Sequence, residues 1–403
     1  MTASMHHRRA HYLPLDSLRG IAALSVVIHH FVISQSFSAL FANKAWIDTP
    51  FFHNAWMFVD LFFVLSGIVI SLSYVQPEFG KFPFGEFVIR RLARIYPLHI
   101  ATLFAFLLFR LIKLGLIAAG GAHFVPAEAP VNNAYSFVIN VLLLHALGFV
   151  PYLSWNGPSW SISAEFYTYL VFGVVVVVAQ RFADLRVLRG MAAALVVGSL
   201  AVILFVLHER SMDFHYDFGI VRCIFSFFIG VLTAGVATSL PPQQRHGAAW
   251  NAVQIGAVLA VLLIVSEVAA VPALGFVAPL AFAVLLGSLM VYPGGALPRL
   301  LSRAPLIWLG KRSYSIYMVH AFALVLMEYA ARAVGGARLA ALDVILPGTG
   351  ATLAVVVLVV AVLVLSDITF RWIEVPGSGA VLKLINRTSV DLVVPAERGA
   401  VRQ

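Results

Sequence analysis

Residues 15–32 read "LDSLRGIAALSVVIHHFV", an apolar segment with Arg19 near its start and His29 and His30 near its end. A bilayer core is about 30 Å thick and takes roughly 20 apolar residues in a helix, so this segment is long enough to cross it. Charged groups inside a membrane are costly and usually face a cavity or a partner. The segment therefore predicts a membrane-spanning helix with a candidate functional site inside it.

The whole chain shares this apolar character. Its 403 residues are 61% hydrophobic and 11% charged, and their mean hydropathy is +0.94. This composition is typical of a polytopic membrane protein and leaves no stretch for a sizeable soluble domain. The single cysteine, Cys223, excludes an internal disulfide and a cysteine-rich metal site. Since no group of histidines and carboxylates has ligand spacing, no metal is expected.

Long apolar runs predict an all-α polytopic fold of about ten transmembrane helices. The runs cover roughly 15–38, 55–75, 93–119, 159–180, 190–207, 219–238, 250–270, 273–292, 313–333 and 348–371. The segment 134–150 is short for a span, so it is expected to lie at the interface or to re-enter. We assign residues 1–376 to a transmembrane domain and 377–403 to a loosely ordered cytoplasmic tail.

The Lys and Arg residues set the expected orientation. If the N-terminus is cytoplasmic, the inner loops and termini hold 19 of the 27 Lys and Arg residues, whereas the outer loops hold four. Cytoplasmic loops of membrane proteins carry such an excess, so both termini are expected inside. The net charge of +9 then reflects topology and not a nucleic-acid partner.

Arg19 and His30 are predicted to share one face of the first helix. They are eleven residues apart, which puts them about 20° from alignment and about 16 Å apart along the axis. His29 points about 100° away. A structural reading remains open, in which Arg19 reaches the interface and the histidines pack in the core, but the shared face favours a functional one.

Three arginines cluster at the entrance of the third predicted span, in "FVIRRLARIYP". Arg90, Arg91 and Arg94 could simply follow the positive-inside rule and contact anionic headgroups. They could instead bind phosphates, because the guanidinium fork matches phosphate geometry. A cytoplasmic ligand rich in phosphate, such as coenzyme A, would fit the second reading.

Four more polar residues lie in apolar segments. Asp60 is expected to pair with a buried cation or a histidine. Glu165 is either a second carboxylate near the active site or a helix-entry charge favoured by the dipole. Arg222 is a further cation within a span, whereas His320 alone would be structural.

The motifs, taken in order, resemble the membrane-bound acyltransferase family 3 over roughly residues 12–376. They are "LDSLRGIAALSVVIHH", "VDLFFVLSG", "FVIRRLARIYP", "PSWSISAEFYTYL", "GKRSYSIYMVH" and "FRWIEVP". Members of that family acylate bacterial polysaccharides, lipopolysaccharide O-antigen, Nod factors and some macrolides. The resemblance implies a protein of the bacterial cytoplasmic (inner) membrane, in the standalone form that has no C-terminal esterase-like domain.

The resemblance also implies residue roles. His30 would be the catalytic histidine and Arg19 its motif partner, while Arg91 and Arg94, with Arg90 beside them, would hold acyl-CoA, in this family chiefly acetyl-CoA. This sequence departs from the family where a second acidic residue often follows Glu165, because Phe166 stands there.

The expected reaction is therefore transfer of an acyl group from cytoplasmic acyl-CoA to a hydroxyl of a cell-surface or exported carbohydrate, which could be a polysaccharide, a lipid-linked oligosaccharide or a glycoconjugate. His30 could act as a general base or carry the acyl group itself, and Asp60, Glu165, Arg222 or His320 could bind the sugar or orient His30. The alternative is a transporter or proton-coupled permease, although the sequence lacks the inverted repeat common in such proteins. A carrier that moves acyl groups outward without selecting a sugar is a second alternative.

Overall fold

The computed structural model describes residues 12–40, 45–75, 82–119, 130–241, 243, 247, 249–334 and 348–391. Within these residues the chain is helical, and ten helices are long and apolar enough to cross a membrane. They are α1 (Leu13–Ile33), α2 (Phe58–Tyr74), α3 (Phe84–Ala118), α4 (Trp160–Phe182), α5 (Leu185–Phe205), α6 (Gly219–Ser239), α7 (Ala249–Glu267), α8 (Leu274–Val291), α9 (Ser313–Val334) and α10 (Thr349–Thr369). The prediction of an all-α protein with ten spans is confirmed.

Short helical segments connect or flank these ten. They cover Gln35–Leu40, Ala45–Ile47, Pro50–His53, Ala55–Met57, Ala134–Val141, Gly157–Ser159, Ala296–Leu301, Ala304–Lys311, Phe370–Glu374 and Val375–Asp391. Ala134–Val141 has eight residues and rises about 12 Å, less than half of a bilayer core. The segment 134–150 therefore does not form a spanning helix.

Two boundaries differ from the sequence prediction. Helix α3 has 35 residues and begins at Phe84 instead of 93, because the helix continues through the polar segment that hydropathy excluded. The predicted loose tail begins inside a helix, Val375–Asp391, which follows α10 through the π-helical turn Phe370–Glu374. Residues 392–403 and 1–11 lie outside the described residues, as do several loop cations on which the orientation depends.

Helices α2 and α6 pack in backbone contact at a pair of glycines. A Cβ atom on Gly67 would lie 2.0 Å from the Phe227 carbonyl oxygen, and one on Gly230 would lie 2.0 Å from the Val64 carbonyl oxygen. Only glycine permits this approach, which is a common device where membrane helices cross. The crossing holds α2 firmly against α6.

Helix α1 lies among several elements that build the site. It packs against α2, α9 and the helix Ala304–Lys311. Gly20 and Gly310 permit the last contact, since a Cβ on Gly310 would lie 2.3 Å from the Asp16 carbonyl oxygen. Helices α3 and α5 are far more exposed than α2, and their outward side chains are largely apolar, as expected for a lipid-facing surface.

Candidate active site

Two cavities lie along α1. The histidine cavity has a volume of about 910 Å³ and is lined by His29, His30, Asp48, His53, Trp56, Trp160, Asp213 and His215, among others. The arginine cavity has a volume of about 180 Å³ and is lined by Arg19, Ser66, Arg91, Arg94, Glu165, Tyr169 and Tyr314, among others.

Helix α1 contributes to both cavities. Arg19, near its start, lines the arginine cavity, and His30, near its end, lines the histidine cavity. Their separation of eleven positions along the helix corresponds to about 16 Å. His29, which the sequence placed on another face, also lines the histidine cavity, although it is only 5% exposed.

The hydrogen bonds of the histidines fix their tautomers. The Nδ1 atom of His30 lies 2.9 Å from the carbonyl oxygen of Val26. A carbonyl oxygen can only accept, so the His30 Nδ1–H donates and the Nε2 atom carries the lone pair. The Nδ1 atom of His29 is similarly 3.0 Å from the Phe52 carbonyl oxygen. His30 therefore presents the basic nitrogen that proton abstraction or nucleophilic attack requires.

His320 is the neighbour of His30 in the tertiary structure. The two ring centroids are 4.8 Å apart, with an interplanar angle of 57°. His320 Nδ1 donates to the Tyr317 carbonyl oxygen over 2.5 Å, and its buried Nε2 has no hydrogen-bond partner among the described residues. His320 was predicted to be either structural or a possible orienting residue, and the structure brings it against the candidate catalytic histidine.

The histidine cavity combines aromatic and ionisable walls. His215 packs edge-on against Trp160, with ring centroids 5.1 Å apart, and its Nε2 lies 3.3 Å from an Asp213 carboxylate oxygen. Burial, with a smaller effect of the Arg222 charge, lowers the pKa of His215 from its ordinary 6.5 to about 3. A second histidine–carboxylate contact joins His53 and Asp48 over 2.6 Å. The cavity therefore offers flat apolar faces beside hydrogen-bonding groups.

Asp60 and Arg222 form a fully buried ion pair. Arg222 donates to both carboxylate oxygens of Asp60, with the shortest distance at 2.7 Å, and Ser226 Oγ donates to the same carboxylate over 2.9 Å. The guanidinium lies 4.9 Å from the ring centroid of Trp56 and 5.3 Å from that of Trp160.

This pairing agrees with the expectation that Asp60 meets a buried cation. Neither Asp60 nor Arg222 is among the described residues that line the two cavities, so the suggestion that they touch His30 or the sugar finds no support in the geometry. The Arg222 guanidinium instead lies beside Trp56 and Trp160, which do line the histidine cavity. The ion pair therefore contacts the cavity wall without lining the cavity.

Arg91 and Arg94 both line the arginine cavity but differ in their partners. The guanidinium of Arg91 lies 5.7 Å from the ring centroid of Tyr74, and its buried Nε has no hydrogen-bond partner among the described residues. Arg94 forms a close ion pair with Glu374, which also accepts a hydrogen bond from Ser315 Oγ over 2.6 Å. Arg91 is therefore less committed to internal partners than Arg94.

Glu374 is a site residue that the sequence reasoning missed. It is 3% exposed and ends the π-helical turn Phe370–Glu374. Such turns often occur at functional sites, because they redirect a side chain out of the helical register. The available signal was a lone carboxylate within "FRWIEVP" beside an apolar span, whose partner lies 280 residues earlier.

The remaining predicted residues, Glu165 and Arg90, lie away from the histidine cavity. Glu165 lines the arginine cavity, where it accepts a hydrogen bond from Tyr169, so it lies with the arginines and not with the histidines. Arg90 pairs with Glu86 one turn earlier on an exposed face of α3. The structure therefore does not bring Arg90 to the described lining of either cavity.

Comparison with known proteins agrees with this architecture. A family model described as an acyltransferase domain, that of acyltransferase family 3, matches residues 13–371. The chain is 27% identical over 345 residues to YrhL of Bacillus subtilis (strain 168), which is named as a candidate peptidoglycan O-acetyltransferase. The aligned region covers 80% of this chain and 50% of YrhL. It is 26% identical over 324 residues to the O-acetyltransferase OatA of Staphylococcus aureus (strain NCTC 8325 / PS 47). That aligned region covers 77% of this chain and 50% of OatA.

This chain spans about half the length of these relatives. No solved structure matches it. The family match covers nearly the whole chain, so the protein belongs to acyltransferase family 3, and its ten long apolar helices are those of a multi-pass membrane protein.

Proposed function

We propose that this protein is an O-acetyltransferase, which takes an acetyl group from cytoplasmic acetyl-CoA and transfers it to a hydroxyl of an exported carbohydrate. The observation that carries the proposal is the His30 Nε2 lone pair in a large, aromatic-walled cavity, set by the hydrogen bond from Nδ1 to Val26. The names of two relatives, both O-acetyltransferases, support the choice of acetyl and of a hydroxyl acceptor.

The arginine cavity suits the donor. Arg19, Arg91 and Arg94 converge there, and guanidinium groups suit the phosphates of coenzyme A. The cavity lies near the start of α3, where the positive-inside rule predicts the cytoplasmic surface. Donor entry from the cytoplasm follows from this orientation.

The histidine cavity suits the acceptor. A volume of about 910 Å³ has room for a sugar with part of its neighbours in a chain. Trp56 and Trp160 offer flat apolar faces, while Asn54, Asp48 and Asp213 offer groups that bind hydroxyls. One relative is named for peptidoglycan, a carbohydrate polymer, which makes a glycan of the cell envelope the acceptor class to test first.

The chemistry needs one base. His30 Nε2 takes the proton of the acceptor hydroxyl while the oxygen attacks the thioester carbonyl carbon, the carbon–sulfur bond breaks, and the proton passes to the departing thiolate. In the covalent variant Nε2 attacks the thioester carbonyl carbon first, the carbon–sulfur bond breaks and the thiolate leaves. The acceptor oxygen then attacks the acetyl carbon, the carbon–nitrogen bond to Nε2 breaks, and the hydroxyl proton passes to the thiolate. Both routes use the same nitrogen.

The test is substitution of His30 in the purified full chain, reconstituted in lipid nanodiscs with radiolabelled acetyl-CoA and soluble peptidoglycan fragments. His30→Ala should leave a folded membrane protein whose transfer rate falls by about 10²–10⁴-fold, the usual contribution of a general base. His208→Asn, on an exposed loop histidine in a left-handed conformation that asparagine tolerates, is the matched control.

Full activity of His30→Ala would refute the catalytic assignment. Movement of a sugar or an acyl compound across the membrane of proteoliposomes that hold the same protein, without acetylation, would instead favour the transporter. Acylated glycan that depends on His30 supports the enzyme.

A further inference from the structure

The two cavities share part of their lining. Val59 on α2 and Tyr317 on α9 line both the arginine cavity and the histidine cavity. These two side chains therefore form a partition between the cavities, and we use that name for them below. If the donor binds on the arginine side and the acceptor on the histidine side, the acetyl group has to pass the partition.

Tyr317 is held across this boundary by contacts on both sides. Its hydroxyl donates to the Pro158 carbonyl oxygen over 2.9 Å and lies 3.0 Å from Ser161 Oγ. Pro158 lines the histidine cavity and Ser161 the arginine cavity, so the hydroxyl lies where the two meet. The ring packs against Phe62 and His320, with centroid distances of 5.7 and 5.6 Å, and the residue is 5% exposed.

Tyr317 also connects the partition to the catalytic histidine. Its carbonyl oxygen accepts the His320 Nδ1–H, and His320 in turn lies against His30. Among the described residues, two neutral hydrogen bonds hold the phenol, and these are weak compared with an ion pair. Displacing the ring therefore breaks no ion pair of the phenol itself.

We propose that the partition of Tyr317 and Val59 determines which acyl groups cross to His30 and keeps water of the histidine cavity from the thioester. This inference rests on the proposed function. A phenol ring and a branched side chain leave a narrow passage, which suits an acetyl group better than a longer acyl chain. The same barrier limits hydrolysis, in which a water oxygen attacks the thioester carbonyl carbon, the carbon–sulfur bond breaks, and acetate and the thiol are released.

The experiment measures release of coenzyme A thiol by the purified full chain in nanodiscs, with acetyl-CoA or butyryl-CoA and with or without peptidoglycan fragments. Tyr317→Ala should raise the ratio of acceptor-independent to acceptor-dependent release at least tenfold, and should raise the butyryl-to-acetyl rate ratio as well. Tyr317→Phe retains the ring, so both ratios should stay within about twofold of the unaltered protein even if the rate falls. These ratios separate a barrier from a merely structural residue, whose loss lowers all rates together.

Val59→Ala provides the second variant, since it removes two methyl groups from the same partition and is a milder change. It should raise both ratios in the same direction, and it decides the question if Tyr317→Ala does not fold. Ratios equal to those of the unaltered protein in the folded variants would overturn the partition while leaving the proposed function intact. Failure of the folded, unaltered protein to transfer acetyl to any acceptor would overturn the proposed function, and the partition with it.

Discussion

Removing Asp60 should strongly destabilise the protein, because it leaves the Arg222 charge buried without its partner. Arg222 would lose its contacts of 2.7, 3.1 and 3.2 Å to the carboxylate, and Ser226 would lose its acceptor. The hydrogen bond from Arg222 to the Phe214 carbonyl oxygen would remain. Hydrogen bonds to charged groups contribute about 1.5–3 kcal/mol each, and breaking a buried pair costs about 3–5 kcal/mol. We expect Asp60→Leu to lower the free energy of unfolding by the latter amount.

The double variant Asp60→Leu/Arg222→Met tests the reason for this loss. When both charges are replaced by apolar groups, no uncompensated charge remains, so the double variant should be more stable than Asp60→Leu alone. Glu86→Gln removes the negative charge of the exposed pair with Arg90 and should cost less than about 1 kcal/mol.

Unfolding can be followed in detergent through the reaction of Cys223 with a maleimide dye, because this cysteine is the only one in the sequence and is buried. Helical circular dichroism provides a second probe that does not depend on the region around residue 222. The single variant Arg222→Met completes the comparison. If the double variant loses as much free energy of unfolding as Asp60→Leu and Arg222→Met lose together, the two charges do not act as a pair and the reasoning fails.

Three further outcomes follow from the structure. Gly67→Ala should cost about 1–3 kcal/mol, or prevent folding, since its Cβ would lie 2.0 Å from a backbone oxygen, whereas Gly190→Ala, with nothing within 4 Å among the described residues, should be neutral or slightly stabilising in a melting experiment. Burial lowers the pKa of His215 to about 3, so below pH 6.5 the unfolded chain takes up a proton that the folded chain does not. The free energy of unfolding should therefore fall by up to about 1.4 kcal/mol per pH unit between pH 6.5 and 3. His215→Gln should make the melting temperature less dependent on pH in this range. Arg91→Ala should weaken acetyl-CoA binding in a titration by about tenfold or more and Arg90→Ala should not, since Arg91 lines the arginine cavity and Arg90 pairs with Glu86 outside its lining; equal effects would contradict this division.

Periodicity and hydropathy were sufficient to predict most of the fold. Ten apolar runs became ten long helices, because length and side-chain polarity alone decide what can cross a bilayer. Helix α3 begins at Phe84, before the apolar run predicted to start at about 93, because its first turns are polar but still helical. The position of Arg19 and His30 along one helix was also readable, since it needs only the rise per residue.

Contacts between distant parts of the chain were not readable. Asp60 was expected to find a cation, but its spacing of 162 residues from Arg222 gave no means of selecting that partner. Glu374 and Arg94 are 280 residues apart, and their meeting depends on a π-helical turn that hydropathy does not register. Likewise, nothing in the motif "GKRSYSIYMVH" indicated that the ring of Tyr317 lies between two cavities.

The arrangement along α1 explains why one rigid helix would carry both ends of such a site. Arg19 and His30 lie on the same helix, so the helix itself sets the distance between them, and close packing at Gly20 and Gly310 fixes α1 against the helix Ala304–Lys311. Under the proposed function, a donor held at Arg19 would reach His30 by extending its acyl end past Tyr317. Because Tyr317 is one turn from His320, and His320 lies against His30, displacement of the Tyr317 ring by the acyl group should also shift the candidate base. The candidate base and the partition thus belong to one network of contacting side chains. A substitution in the partition should therefore change the selectivity for acyl groups while the fold is retained.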